Sequence, residues 1–209
     1  ELSLSLPPAV TAASGMDALT QLIEAFVSPH ATPITDIFCR EGITRAATAL
    51  PRAFSHPDDL AARADMAFAA LLSGLALANA KLGAVHALAS PLGGLLRAPH
   101  GALCARLLPF VSSTNITLLR ATNHHSHLTS LSRYAEIARL ANAGSSPEDA
   151  AAWLAQLSEL LLIPPLSAHG LSPNHFPEII RHALAASSMK GNPVPLTADH
   201  LHIVLSRAL

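Results

Sequence analysis

Asp17 and Gln21 stand four residues apart in "GMDALTQLIEAF" (Gly15–Phe26). In a helix that spacing puts both on one face. His86, in "LGAVHALASPLGG", and His100, in "RAPHGALCARLLP", sit in otherwise apolar surroundings. A buried imidazole needs a partner on each ring nitrogen, and a divalent metal is one such partner. One carboxylate and two imidazoles make a donor set suited to Zn2+ or Fe2+. The same residues admit a plainer reading: two hydrogen-bonded core histidines and an acid near a helix start, where negative charge is favoured anyway. Cys104, four after His100, is expected as a small buried hydrophobe, with a place near a metal as the alternative. Glu24 reads equally as a hydrogen-bond partner behind the site or as a charge on the helix face.

The elements that must position these residues all read as helices, punctuated by proline. They are expected over about Gly15–Val27, from Thr32-Pro33 to before Pro51, over Pro57–Ala80 and over Ala84–Leu96. Others are expected from Pro99, over Leu128–Ala141, and over Ser145–Leu162 with Ser146 as cap, with two more near the C-terminus. Strand signals are nearly absent: "LSLSL" alternates, but it is short and terminal. The expected fold is all-α, one domain over residues 1–209 with about eight or nine helices. "TNHHSHLTS" (Thr122–Ser130) is expected to be a polar loop rather than a metal site, and His169 and His175 to be surface residues.

Half of the 209 residues are hydrophobic and only 13% are charged, which excludes disorder as the main state. A net charge of −1 with no basic stripe gives no support for nucleic-acid binding. The two cysteines, Cys39 and Cys104, do not form a disulfide framework, and no signal peptide is legible, so a cytoplasmic setting is expected. The longest apolar stretch, Met66–Ala80, is shorter than the roughly 18–20 residues of a membrane span. It is expected as a helix buried on all sides, with no membrane partner.

Three stretches in order carry a resemblance: "LSLPPAVTAASGMDALTQLIEAFVS", "GAVHALASPLGGLLRAPHGALCARLLPFVSSTN", and the run from "LLIPPLSAHGLSPNHFPEII" to "GNPVPLTADHLHIVLSRAL". Together they resemble the C-terminal helical domain of the iron-containing (group III) alcohol dehydrogenases, in the dehydroquinate synthase-like superfamily. The resemblance implies a divalent metal, Fe2+ or Zn2+, held at Asp17, Gln21, His86 and His100. It implies NAD(P) as hydride acceptor, a small alcohol or its aldehyde or ketone as substrate, and a homodimer or larger assembly. Gln21 stands where the family usually has a histidine, although "DALTQ" is also the form of a subgroup. Zinc members of the superfamily manage with three protein ligands. Ser90 stands where a substrate-adjacent histidine is frequent; a serine can relay a proton but is no neutral-pH acid or base by itself. The family's N-terminal dinucleotide-binding domain has no counterpart here: "PLGG" (Pro91–Gly94) lies in helical sequence and follows no strand. The chain is therefore expected to be one part of a longer enzyme, inactive alone. The alternatives are a metal-independent reductase of the maleylacetate reductase type and a non-catalytic helical assembly module.

Overall fold

The computed structural model describes residues 1–121 and 125–209, and the side chains of all of these except 125 and 126. Among the described residues there are nine α-helices and no strand. The helices are α1 (Pro8–Val27), α2 (Pro33–Ser55), α3 (Leu60–Ala80), α4 (Ala84–Leu95), α5 (His100–Arg120), α6 (His125–Leu140), α7 (Pro147–Leu160), α8 (Phe176–Ala185) and α9 (Ala198–Ala208). α1 is the hub, packed against α2, α3, α5 and α6. Met16, Leu19, Leu22, Ile23 and Phe26 of α1 are buried, as are Leu88 and Leu92 of α4 and Leu103, Leu107 and Leu108 of α5. α8 lies on α4, and α7 and α9 lie on α5.

Helix starts follow their cap residues. Thr32, Ser146 and Thr197 each accept a hydrogen bond from the backbone N–H three positions on. Asp59 does the same for Ala62, so "PDD" precedes α3 and does not fill its first turn. α1 starts at Pro8, with proline in its first turn, and so begins earlier than the expected Gly15. α2 runs past Pro51 to Ser55. Pro51 gives up the bond its N–H would make to the Ala47 carbonyl, and the helix continues past it, with the His56 N–H reaching the Arg52 carbonyl. α6 takes up part of the expected polar loop, because residues 125–130 are helical.

The expectation of a helix buried on all sides fails for α3. One face, with Ala69, Leu72, Ser73, Ala76 and Ala80, packs inward; Phe68, Leu71 and Leu75 face outward, Leu71 being 58% exposed. The apolar run is also part of a 21-residue helix, so α3 and the mostly buried α5 have the length and hydropathy of a membrane span. Within this fold α3 packs on α1 and α2, and α5 packs on α1, α4, α7 and α9.

Candidate metal centre

Asp17 lies mid-way along α1, far from its N-terminus, which removes helix-start polarity as the reason for an acid there. Gln21 follows one turn later on the same face, its Nε2 donating to Asp17 Oδ2 at 3.0 Å. Ser73 Oγ of α3 lies 2.8 Å from Gln21 Oε1. An ionised carboxylate needs a donor, so the amide turns its NH2 toward Asp17 and its oxygen toward Ser73.

His86 sits in the first turn of α4, whose leading N–H groups have no partner within the helix. Gly83, at the cap position, has no side chain to offer them. Glu24 reaches across from α1 instead: its Oε1 accepts from the Val85 N–H at 2.7 Å and its Oε2 lies 2.6 Å from His86 Nδ1. Asn192 Oδ1 takes the Ala84 N–H and also accepts from Asn115, whose amide in turn bonds the Tyr134 hydroxyl. A Cβ at Gly83 would press on both Glu24 and Asn192, so a glycine there lets both side chains reach the helix end.

His100 opens α5. The next residue, Gly101, lets the start of α5 rest directly on α1, since a Cβ there would collide with the Ala13 carbonyl and press on Asp17. Cys104, one turn further along α5 and fully buried, points to the same place: its Sγ is 3.4 Å from His100 Nε2 and 3.9 Å from His86 Nε2. Asp17 Oδ1 is 3.4 Å from His86 Nε2 and 3.7 Å from His100 Nε2. One donor atom from each of Asp17, His86, His100 and Cys104 falls within 4.8 Å of all the others.

The donors are placed for a cation. Glu24 takes the proton on His86 Nδ1, so Nε2 of the neutral ring presents its lone pair to Asp17 Oδ1. That oxygen is buried and has no hydrogen-bond partner. A lone pair facing a carboxylate oxygen is repulsive unless a proton or a metal ion sits between them. This cluster of a carboxylate, two imidazole nitrogens and a sulfur therefore fits a divalent metal.

Without metal, a proton takes that place. Burial alone would push the His86 imidazolium down, but Asp17, Cys104 and Glu24 facing it outweigh burial and hold it well above the ordinary 6.5. Burial likewise opposes ionised Asp17, yet His86 and His100 hold its carboxyl below the usual 3.8. Burial pushes the Cys104 thiol up to about 11, so a metal must displace its proton as well. Two outcomes follow. Because the folded-state value of His86 is raised, its stabilisation is complete below about 6.5 and fades as pH rises above it. The melting temperature of metal-free protein should therefore fall between pH 6.5 and 9. Metal affinity should rise over the same range, because binding releases protons. Melting curves with chelator and with added Zn2+ would check both.

Sequence reading thus singles out Asp17, His86 and His100, which the fold brings together, and Gln21, which lies against Asp17. It rates Glu24 evenly and expects Cys104 to be a small buried hydrophobe, with a place near a metal as the alternative. Cys104 is buried as expected, and it also lies in the cluster, the alternative that its spacing of four from His100 offers. Ser90, one turn after His86, is exposed at a cleft of about 350 Å3 shared with Glu178 and His182. His175 is half-buried and accepts from the Ser172 N–H, which corrects its reading as a surface residue, and His169 is half-buried too. Of the "HHSH" stretch, His124 lies outside the described residues and the side chain of His125 is likewise not described.

Comparison with known proteins identifies the family of the chain. Residues 11–209 match the model of the Fe-containing alcohol dehydrogenase family, C-terminal. Alcohol dehydrogenase 4 of Saccharomyces cerevisiae is 38% identical over 205 residues, 97% of this chain and 51% of that protein. The 1,3-propanediol dehydrogenase of Klebsiella pneumoniae is 38% identical over 92% of this chain and 49% of its own length. A solved 1,3-propanediol oxidoreductase superposes with a TM-score of 0.88 at 36% identity, covering 99% of this chain and 53% of that one. The chain spans about half the length of the curated relatives it matches. It belongs to the Fe-containing alcohol dehydrogenase family and forms that family's C-terminal, all-helical part.

Proposed function

We propose that this chain is the metal-binding, substrate-side domain of an NAD(P)-dependent alcohol dehydrogenase that interconverts small alcohols with aldehydes or ketones. The observation that carries the reading is Asp17 Oδ1, buried without a hydrogen-bond partner and facing His86 Nε2 and His100 Nε2. Asp17, His86 and His100 would hold the divalent metal, with Gln21 keeping the Asp17 carboxylate in its rotamer. When bound, the metal supplies Lewis acidity toward the alcohol oxygen. Glu24 fixes the His86 tautomer, and the α1–α4–α5 packing fixes the direction of each donor. Ser90, one helical turn after His86 on α4, offers a hydroxyl to the substrate or to a proton leaving it. Hydride transfer needs a nicotinamide cofactor, for which we assign a separate dinucleotide-binding domain. The outward apolar face of α3, with Phe68, Leu71 and Leu75, is compatible with contact to another domain or subunit.

The test is NAD(P)-linked oxidation of small primary alcohols and diols by the intact protein, before and after chelation. Coenzyme reduction that is lost on chelation and restored by Zn2+ or Fe2+ supports the reading. Keto-acid reduction by metal-free protein would replace it with a reductase of the maleylacetate type. No coenzyme-linked turnover in either direction would leave an assembly module.

A further inference from the structure

Gln21 and Cys104 differ in how they meet the cluster. The Gln21 amide is engaged on both sides, by Asp17 and by Ser73. The Cys104 sulfur faces both imidazoles at 3.4 and 3.9 Å. Metal bonds of about 2.0–2.3 Å in tetrahedral geometry place neighbouring ligand atoms roughly 3.3–3.7 Å apart. The separations are 3.4 Å for Asp17–His86, 3.7 Å for Asp17–His100, 3.4 Å for Cys104–His100 and 3.9 Å for Cys104–His86. These four stand close to tetrahedral edges, and the two opposite pairs, Asp17–Cys104 and His86–His100, close within 4.8 Å.

Resting on the metal reading above, the geometry points to Cys104 as a fourth metal ligand, a thiolate that takes the place Gln21 leaves. The donor set becomes one oxygen, two nitrogens and one sulfur. Thiolate is a soft ligand, so the site prefers Zn2+ or Co2+ to Fe2+. With four protein ligands, the site would have to widen its coordination to admit an alcohol oxygen, as zinc sites sometimes do. Gln21 acts as a positioning residue for Asp17 and not as a ligand. Cys39, the other cysteine, is buried beside Asp36, Arg40 and Arg133 and serves as the control.

The experiment is Co2+ and Zn2+ loading of the intact protein, read by spectroscopy rather than turnover. Unmodified protein and Cys39→Ser should both show near-ultraviolet sulfur-to-cobalt charge transfer, and Cys104→Ser should bind Co2+ without it. Zn2+ affinity should fall in Cys104→Ser by roughly 10–100-fold or more, at least the loss seen for outer-shell partners. Fe2+ affinity should fall less. Should Cys104→Ser fail to fold, X-ray absorption at the zinc edge of unmodified protein decides alone, with a sulfur expected at about 2.3 Å. Bound metal surrounded only by nitrogen and oxygen, or charge transfer that survives in Cys104→Ser, overturns the assignment and leaves the metal reading standing. No bound metal at all overturns both.

Discussion

Asp17→Asn should leave the helical fold in place and empty the site of metal. The change replaces one oxygen by an NH2 group and keeps the side chain's shape. The remaining asparagine oxygen can still accept from Gln21 Nε2, as Asp17 Oδ2 does at 3.0 Å. What is lost is the carboxylate charge that meets both His86 Nε2 and His100 Nε2, through Oδ1 at 3.4 and 3.7 Å. A neutral amide is a much weaker partner for a divalent cation than a carboxylate. Metal content should fall from about one equivalent to near zero at micromolar free Zn2+. Lewis-acid stabilisation of several kcal/mol goes with it. At about 1.4 kcal/mol per factor of ten, alcohol oxidation should drop on the order of 10^3-fold or more. Elemental analysis beside far-ultraviolet circular dichroism separates metal loss from unfolding. One equivalent of tightly held metal in a folded Asp17→Asn protein would sink the assignment.

The all-helical class and most helix positions were legible because proline and cap residues punctuate the chain. Ser146 and the helix behind it, and the start of α2 at Thr32-Pro33, follow from local chemistry alone. What local chemistry could not show is which side of an apolar helix is inside. α3 is Ala- and Leu-rich on every side, and only its packing on α1 and α2 leaves Leu71 and Leu75 outside. The start of α1 was placed too late because Gly15 reads as a boundary. In the fold it sits mid-helix, packed tightly against Leu50 of α2 and Met66 of α3. The site divides in the same way. Asp17, His86 and His100 stood out as polar residues in apolar sequence. Glu24 and Cys104 carried a site role only as one of two readings, because that role comes from contacts across 62 and 18 residues of chain, respectively, with His86. Asn115 and Asn192, which support α4 from behind, carried no sequence signal.

Glu24→Gln should weaken metal binding through a residue that never meets the metal. The carboxylate has two donors to satisfy, the Val85 N–H at 2.7 Å and His86 Nδ1 at 2.6 Å. A glutamine has one acceptor oxygen and one NH2. If the oxygen stays on Val85, the NH2 faces His86 Nδ1, which must then accept. The ring proton moves to Nε2, where a metal has to bind. If the oxygen turns to His86, the NH2 meets the Val85 N–H and a buried helix start loses its partner. The first arrangement exchanges a charge-assisted bond for a neutral one, and the second strands the Val85 N–H, in a pocket where Glu24 is 4% exposed. Losing a hydrogen bond to a charged, buried group costs about 1.5–3 kcal/mol. The melting temperature should fall accordingly, and Zn2+ affinity should drop roughly 10–100-fold. Glu24→Asp keeps the charge but shortens the reach, so it should restore part of the affinity. The distinguishing measurement is the pH dependence of Zn2+ binding. A tautomer defect should persist at high pH, where simple competition by protons would disappear. If Glu24→Gln lowers stability but leaves Zn2+ affinity untouched at every pH, Glu24 serves only the start of α4, and the direction of His86 is set by helix packing alone.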